Sequence, residues 1–165
     1  MCINEEILAV TDGPQPGRFG LEMSRKPKTE QGRRRKSVLL VDRHALIRHA
    51  AASWINHCPG LEVCGLAGGR AQAFRAVKRF HPDVVVSEIM QPHDLGFIRE
   101  LHRRERGLRI LVFSMRDPAQ YGAQARAAGA SGYVMKAAGG ENLIRNIRSV
   151  LRRRSNGRAG TPKRI

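Results

Sequence analysis

Between residues 37 and 154 the sequence changes character roughly every ten to fifteen residues, and this alternation constrains the fold more than any other feature. Short β-branched or aliphatic runs are separated by longer segments with helical periodicity. The runs with the composition of buried strands are Val38–Val41, Glu62–Leu66, Val84–Val86, Ile110–Phe113 and Tyr133–Met135. Because the runs begin roughly 23 residues apart, each connection has room for a crossover helix, which predicts a parallel sheet.

The segments between the runs carry apolar residues at the spacing of an amphipathic helix. This spacing is clearest in the first and last segments, at Leu46, Ile47, Ala50, Ala51, Trp54 and Ile55, and at Leu143, Ile144, Ile147, Val150 and Leu151. Asp117 and Pro118 have the residue types of an N-cap and first helical residue, and Gly129 is suited to end that fourth helix. The strand runs are continuous rather than alternating, so both faces of the sheet should be covered. The sequence therefore predicts an α/β, doubly wound (βα)5 domain.

The positive charge is concentrated toward the two ends of the chain. Lys and Arg total 30 against 14 Asp and Glu, a formal net charge of +16. The last fifteen residues, 151–165, contain six basic residues and no acid. Neither end has an apolar period that would hold it against a core, which predicts a flexible basic N-terminal arm (1–36), a domain (37–152) and a basic tail (153–165). Such arms are either solvated ends or non-specific nucleic-acid-binding segments.

Several classes of protein are disfavoured by what the sequence lacks. No apolar run approaches the roughly 20 residues of a transmembrane helix, and the N-terminus has no secretory pattern, so we expect a cytoplasmic protein without membrane contact. The cysteines Cys2, Cys58 and Cys64 form no C-x-x-C pair, which argues against a disulfide scaffold or zinc module. His44 and His49 are five residues apart and are interpreted as ordinary, partly exposed side chains, so no metal site is predicted.

Polar residues follow the predicted strands at their carboxyl ends. Asp42 and Arg43 follow the first strand, Glu88 the third, Ser114 the fourth and Lys136 the fifth. In a doubly wound sheet these ends share one edge, where ligands bind. Carboxylates, a hydroxyl and an ammonium on one rim would suit a phosphoryl group and its metal ion. No nucleophile–base pair or cofactor loop is found, so an enzyme is not expected.

The segments SVLLVDRHALIRHA, PDVVVSEIMQP, LRILVFSM and AAGASGYVMKAA resemble, in order and spacing, the motifs of a response-regulator receiver (CheY-like) domain of the NarL/FixJ type. The resemblance covers residues 37–152. It implies a flavodoxin-like sheet of five parallel strands in the order 2-1-3-4-5. It also implies phosphorelay signal transduction in a two-component system.

The resemblance also implies roles for individual residues. Asp42 matches the first of two acids that bind Mg2+, and Arg43 stands where the second acid is expected. Glu88 occupies the position of the phosphoacceptor aspartate. The positions that sense the phosphoryl group are matched by Ser114, the switch aromatic Tyr133 and the lysine Lys136.

Arg43 and Glu88 are the two departures from the family pattern, and both concern phosphorylation. A guanidinium should repel Mg2+, so loss of the metal is expected and no cofactor is predicted. The extra methylene of Glu88 should misalign its carboxylate with a phosphodonor. We expect Arg43 to take the place of the metal, with its forked guanidinium serving both Asp42 and Glu88. Glu88 could in turn reach Ser114 and Lys136, in partial imitation of a phosphorylated state.

Three hypotheses for function remain open at this stage. The preferred one is a pseudo-receiver that acts through protein–protein contacts without aspartate phosphorylation. The others are a still-switchable phosphorelay receiver and a nucleic-acid-binding protein that uses its basic arms. Only about eleven residues follow the last predicted helix, too few for a helix-turn-helix output domain, so we expect either a stand-alone receiver or one that has lost its output domain. The signalling partner is not identified by the sequence, and a homodimer is one open arrangement.

Overall fold

The computed structural model describes residues 34–152, in which strands and helices alternate. The five strands of this range are β1 (Lys36–Val41), β2 (Leu61–Ala67), β3 (Val84–Ser87), β4 (Arg109–Ser114) and β5 (Gly132–Met135). The five helices are α1 (Ala45–Asn56), α2 (Arg70–Phe80), α3 (Asp94–Arg104), α4 (Pro118–Ala127) and α5 (Gly139–Arg152). A short 3-10 turn, Lys136–Ala138, precedes α5.

All neighbouring strands pair in parallel, in the order β2-β1-β3-β4-β5. The pairs Val41–Ser87 and Ser87–Val112 align the carboxyl ends of the three central strands. Ser114 pairs with Met135 at the same edge. The predicted doubly wound (βα)5 fold and its strand order are confirmed.

Each face of the sheet is covered by its own hydrophobic layer. Leu39, Val85 and Val112 face a core that contains residues of α2, α3 and α4. Their strand neighbours Leu40 and Val86 face the opposite core, to which α1 and α5 contribute. Because alternate residues of a strand point to opposite faces, this arrangement requires the continuous apolar runs seen in the sequence.

The ends of the elements differ from the prediction by one or two residues. β1 begins at Lys36, which the sequence interpretation placed in the N-terminal arm, and Arg35 already donates a hydrogen bond to the Leu61 carbonyl. The cap of α4 is as predicted, since the Asp117 carboxylate accepts from the Ala119 amide at 2.8 Å. Gly129, with φ of +106°, follows the helix in a conformation that favours glycine.

The predicted N-terminal arm up to residue 33 and the predicted tail, 153–165, lie outside the described residues. Within residues 34–152, every helix is too short or too polar to cross a lipid bilayer.

Asp83 joins the amino ends of β1 and β3, opposite the predicted site. Its carboxylate accepts hydrogen bonds from Lys36 Nζ at 2.9 Å, from the Ser37 amide at 2.9 Å and from the Ser37 hydroxyl at 3.1 Å. Burial alone would raise the pKa of Asp83, but the hydrogen bonds from Lys36 and Ser37 together lower it. Asp83 therefore stabilises the fold in its charged form.

Asp83→Asn is expected to lower the free energy of unfolding at neutral pH by about 1–2 kcal/mol, because it removes charge-assisted hydrogen bonds. The pKa of Asp83 is lower in the folded protein than in the unfolded chain. This contribution is therefore complete above the unfolded pKa and is lost as the pH falls through the folded value. Urea unfolding at several pH values should show the two proteins converging in acid. Asp117→Asn, which keeps a good N-cap, is the matched control, and a pH-independent deficit for Asp83→Asn would contradict the account.

Candidate functional site

The predicted site residues all lie at or beside the carboxyl edge of the sheet. Asp42 and Glu88 directly follow β1 and β3, Ser114 is the last residue of β4, and Lys136 directly follows β5. The Asp42 amide donates to the Ala67 carbonyl, and the Glu88 amide donates to the Val41 carbonyl. These two main-chain hydrogen bonds fix the positions of Asp42 and Glu88. The topology therefore brings side chains that are far apart in sequence to one rim.

Lys136 lies between two carboxylates. Its Nζ is 2.5 Å from Asp42 Oδ2 and 2.5 Å from Glu88 Oε1. The three side chains are buried, and that of Lys136 is only 5% exposed. Charges this buried are tolerated when they are paired, so the three groups depend on one another.

Arg43 makes a looser set of contacts at the outer side of the site. Its Nε is 3.8 Å from Glu88 Oε2, and one terminal nitrogen is 3.4 Å from Asp94 Oδ2. The expected meeting of Arg43 and Glu88 is confirmed, but the expectation that Arg43 also serves Asp42 is wrong. The ammonium of Lys136 takes that place, and the guanidinium, 46% exposed, turns toward α3 instead.

Asp94 and His44 belong to the site, although the sequence interpretation did not place them there. Asp94 begins α3 and accepts hydrogen bonds from the Met90 and Gln91 amides at 2.9 and 3.0 Å. His44 Nδ1 is 3.3 Å from Asp42 Oδ1 and 3.5 Å from Glu88 Oε1. The sequence feature that points to Asp94 is an acidic residue at a helix start, six residues after Glu88.

One oxygen of Glu88 has no hydrogen-bond partner within residues 34–152. Oε2 is buried there, and Arg43 Nε lies 3.8 Å from it, beyond hydrogen-bond distance. Oε1 is held by Lys136. The two oxygens of this carboxylate are therefore in unequal environments.

Ser114 and Tyr133 lie close to the buried cluster, but their hydrogen bonds lead elsewhere. The Ser114 hydroxyl donates to the Ile89 carbonyl at 2.5 Å and accepts from the Arg116 amide at 3.0 Å. Tyr133 donates to the Arg116 carbonyl at 3.0 Å. Burial raises the pKa of the Tyr133 phenol, against a hydrogen bond with Ser114 that lowers it.

Arg116 adds a second connection between the same two loops. Its Nε donates to the Met90 carbonyl at 2.9 Å. Together with the Ser114–Ile89 bond, this ties the loop after β4 to the loop after β3. The expectation that Glu88 reaches both Ser114 and Lys136 is correct for Lys136 and wrong for Ser114, whose hydroxyl is occupied by main-chain partners.

The donor set is a poor match to Mg2+, the metal that the family resemblance implies. Asp42, His44 and Glu88 each offer one ligand atom, and these atoms lie within 4.8 Å of one another. One of the three donors is an imidazole nitrogen, whereas Mg2+ prefers oxygen ligands in octahedral geometry. The Lys136 ammonium is already paired with both carboxylates, and Arg43 adds a second cation at the rim.

Comparison with known proteins agrees with the topology. Residues 38–148 match the model of the response regulator receiver domain family. The chain is 35% identical over 115 residues to the DNA-binding transcriptional activator DevR/DosR of Mycobacterium tuberculosis, covering 68% of this chain and 53% of that relative. It is 30% identical over 116 residues to the response regulator GacA of Pseudomonas aeruginosa, covering 69% and 54%. The chain thus spans about half the length of these curated relatives.

Solved structures give the same result. A two-component response regulator of the LuxR family from Aurantimonas superposes with a TM-score of 0.66 at 29% identity, over 71% of this chain and 85% of that one. The receiver domain of the regulator NarL from Mycobacterium tuberculosis superposes with a TM-score of 0.67 at 22% identity, over 73% and 99%, and supports the fold alone. On the extent of the family match and the shared fold, this chain belongs to the response-regulator receiver domain family.

Proposed function

We propose that this receiver domain of the two-component response regulators is a pseudo-receiver, which acts through protein–protein contacts without phosphorylation of a carboxylate at position 88. The observation that carries the proposal is the Lys136 ammonium, 2.5 Å from both Asp42 and Glu88 in a buried position. A cation of the chain itself thus lies where both carboxylates meet.

The position of Glu88 argues against attack on a phosphodonor. Phosphoryl transfer needs a carboxylate oxygen aligned with the donor phosphorus, and small misplacements are costly. One oxygen is paired with Lys136, and the other is buried beside Arg43. The extra methylene, compared with aspartate, also moves the carboxylate relative to β3.

Loss of Mg2+ is the second part of the proposal. In the family pattern two acids follow the first strand, and here Arg43 stands in place of the second. Its guanidinium lies 3.8 Å from Glu88, so a dication at this point would meet a positive charge. We therefore expect the site to reject Mg2+ at ordinary millimolar concentrations.

Side chains at and just after the end of β4 connect the loop after β4 to the loop after β3. Ser114 and Arg116 bind main-chain carbonyls of the loop after β3, and Tyr133 binds the Arg116 carbonyl. These are contacts that a phosphoryl group would have to rearrange. We propose that the domain keeps one signalling state and presents a constant surface to its partner.

A still-switchable receiver is the competing function, favoured by the presence of Ser114, Tyr133 and Lys136 at the positions that the family uses to sense phosphorylation. In that case Lys136 would have to exchange one carboxylate for a phosphoryl oxygen. The two functions differ in whether the domain accepts a phosphoryl group.

Incubation of the full chain with acetyl phosphate and Mg2+ should leave its intact mass unchanged, because Glu88 is paired and the metal is rejected. The double variant Arg43→Asp, Glu88→Asp restores both family acids and should gain one phosphoryl group. A conventional receiver treated in parallel controls for the donor. A phosphoryl adduct on Glu88 of the unaltered protein would contradict the proposal and establish the switchable receiver.

Lys136→Met is expected to destabilise the domain by about 3 kcal/mol, because it leaves two buried carboxylates without their shared cation. Adding Glu88→Gln to this variant should recover part of the loss, since only one buried acid then remains. Urea unfolding measures both effects, and Lys78→Met on the exposed face of α2 is the matched control. If Lys136→Met were as stable as the unaltered protein, the ammonium would not be what holds the pocket closed.

A further inference from the structure

The amino edge of the sheet, opposite the Lys136 site, carries exposed cations on the three helices that cover one of its faces. Lysine or arginine occupies the last turn of α2, α3 and α4, and a further arginine follows α3 in the turn toward β4. We call these exposed side chains the amino-edge cluster: Lys78, Arg79, Arg103, Arg104, Arg106 and Arg126.

The three helix ends that carry the cluster adjoin one another. A cleft of about 270 Å3 is lined both by His81, which follows α2, and by Arg106, which follows α3. At Gly129, just after α4, a Cβ atom would clash with the ring of His102 in the last turn of α3. Glycine at this position therefore lets the ends of α3 and α4 approach closely. The cations form one surface across the edge of the sheet.

Most members of the cluster are not paired with an acid. Arg104 pairs with Glu100 at 2.5 Å, one turn earlier on α3. The guanidinium of Arg79 lies over the ring of Phe80, 5.2 Å from its centroid. For the other four members, no ion pair with a residue of the range 34–152 is found.

The acids near the cluster do not balance its charge. The connections 81–83 and 105–108 supply two acids, Asp83 and Glu105, and Asp83 is already paired with Lys36 at 2.9 Å. The negative end of a helix dipole favours a cation in the last turn, which accounts for part of the pattern. Six cations on adjoining helix ends exceed that need, and they create a positive potential that attracts anions.

The basic segments at the two ends of the sequence join the domain at this same edge. β1 begins here with Lys36, which two exposed arginines precede. α5 ends here, since Arg148 donates to the carbonyl of Pro59, two residues before β2. The basic tail, 153–165, follows directly in the sequence. The cations of both segments are thus attached beside the amino-edge cluster.

The make-up of this edge favours nucleic acid over a protein or a membrane. Protein–protein interfaces have apolar and aromatic centres, and membrane-surface binding adds apolar side chains that enter the lipid. Among the large apolar side chains found exposed in residues 34–152, none lies in the connections 81–83 or 105–108. Interfaces with nucleic acid are more polar and far more positively charged, and phosphates need cations without an apolar anchor.

We propose that the amino-edge cluster binds the phosphate backbone of nucleic acid, through sequence-independent contacts from the ends of α2, α3 and α4. The folded domain thereby contributes to binding together with the basic segments at its ends. The inference goes beyond the proposed function and does not rest on it, because neither the Lys136 pocket nor a phosphoryl group is involved.

The test is a titration of a short, fluorescently labelled DNA duplex with the full chain, followed by anisotropy at several salt concentrations. The triple variant Arg103→Gln, Arg106→Gln, Arg126→Gln removes one cation from the last turn of α3, one after it and one from α4. We expect binding at moderate salt to weaken at least roughly tenfold. The slope of log affinity against log salt should fall by about two to three, since three phosphate contacts are lost.

The matched control is the triple variant Arg75→Gln, Arg99→Gln, Arg145→Gln, which changes the net charge equally at exposed positions inside α2, α3 and α5. It should keep the salt slope of the unaltered protein. Urea unfolding of both variants checks that they fold. If the cluster variant does not fold, Lys78→Gln with Arg79→Gln replaces it and should lower the slope by about two.

An unchanged slope in the folded cluster variant would assign binding to the basic segments alone and overturn the inference. An equal loss in the control would show that only net charge matters, with the same consequence. Tighter binding to phosphatidylglycerol vesicles than to DNA would assign the cluster to a membrane, and tighter binding to poly-glutamate would assign it to an acidic protein. A duplex of unrelated sequence should bind equally well, and strong sequence preference would contradict contacts to phosphates alone.

Discussion

The ammonium of Lys136 between the carboxylates of Asp42 and Glu88 is the interaction on which the account of this site depends. It joins the carboxyl ends of β1, β3 and β5, three strands that the chain visits at widely separated points. Two buried carboxylates would repel each other without a cation between them, and a buried ammonium would be costly without its acids. The chain supplies this cation itself, where the family resemblance implies a metal ion and a phosphoryl group. The arrangement of Arg43, Asp94 and His44 follows around this core.

The fold of this domain does not depend on which polar residues stand at the carboxyl edge of its sheet. The doubly wound sheet requires buried strands and amphipathic helices, and it tolerates different residues at the carboxyl edge. Arg43 and Glu88 stand at that edge and leave the parallel order β2-β1-β3-β4-β5 unchanged. A domain of this kind can lose a chemical step and still present helical surfaces to a partner.

Most of the fold could be predicted from the sequence, because hydrophobic periodicity and turn residues act locally. The runs at Val38–Val41 and Val84–Val86 lie within observed strands, and Asp117 caps α4 as expected. The partners of Arg43 could be predicted only in part. The acid that the Arg43 side chain contacts depends on the position of Lys136 after β5 and on the position of Asp94 after the loop that follows β3. Neither position can be derived from spacing along the chain. The hydrogen bond from Ser114 to the Ile89 carbonyl could not be predicted either, because it also depends on the conformation of the loop after β3.

The central claim, that the chain's own cations close the pocket, is tested most directly by titrating the isotope-labelled protein with Mg2+ and beryllium fluoride and following backbone amide resonances. Beryllium fluoride with Mg2+ imitates a phosphorylated carboxylate in receivers that possess a working site. The account predicts that the amide signals of Asp42, Glu88 and Ser114 remain unchanged at millimolar concentrations of both. Saturable shifts confined to these residues would show that Lys136 and Arg43 give way to a metal and a phosphoryl mimic, and would contradict it.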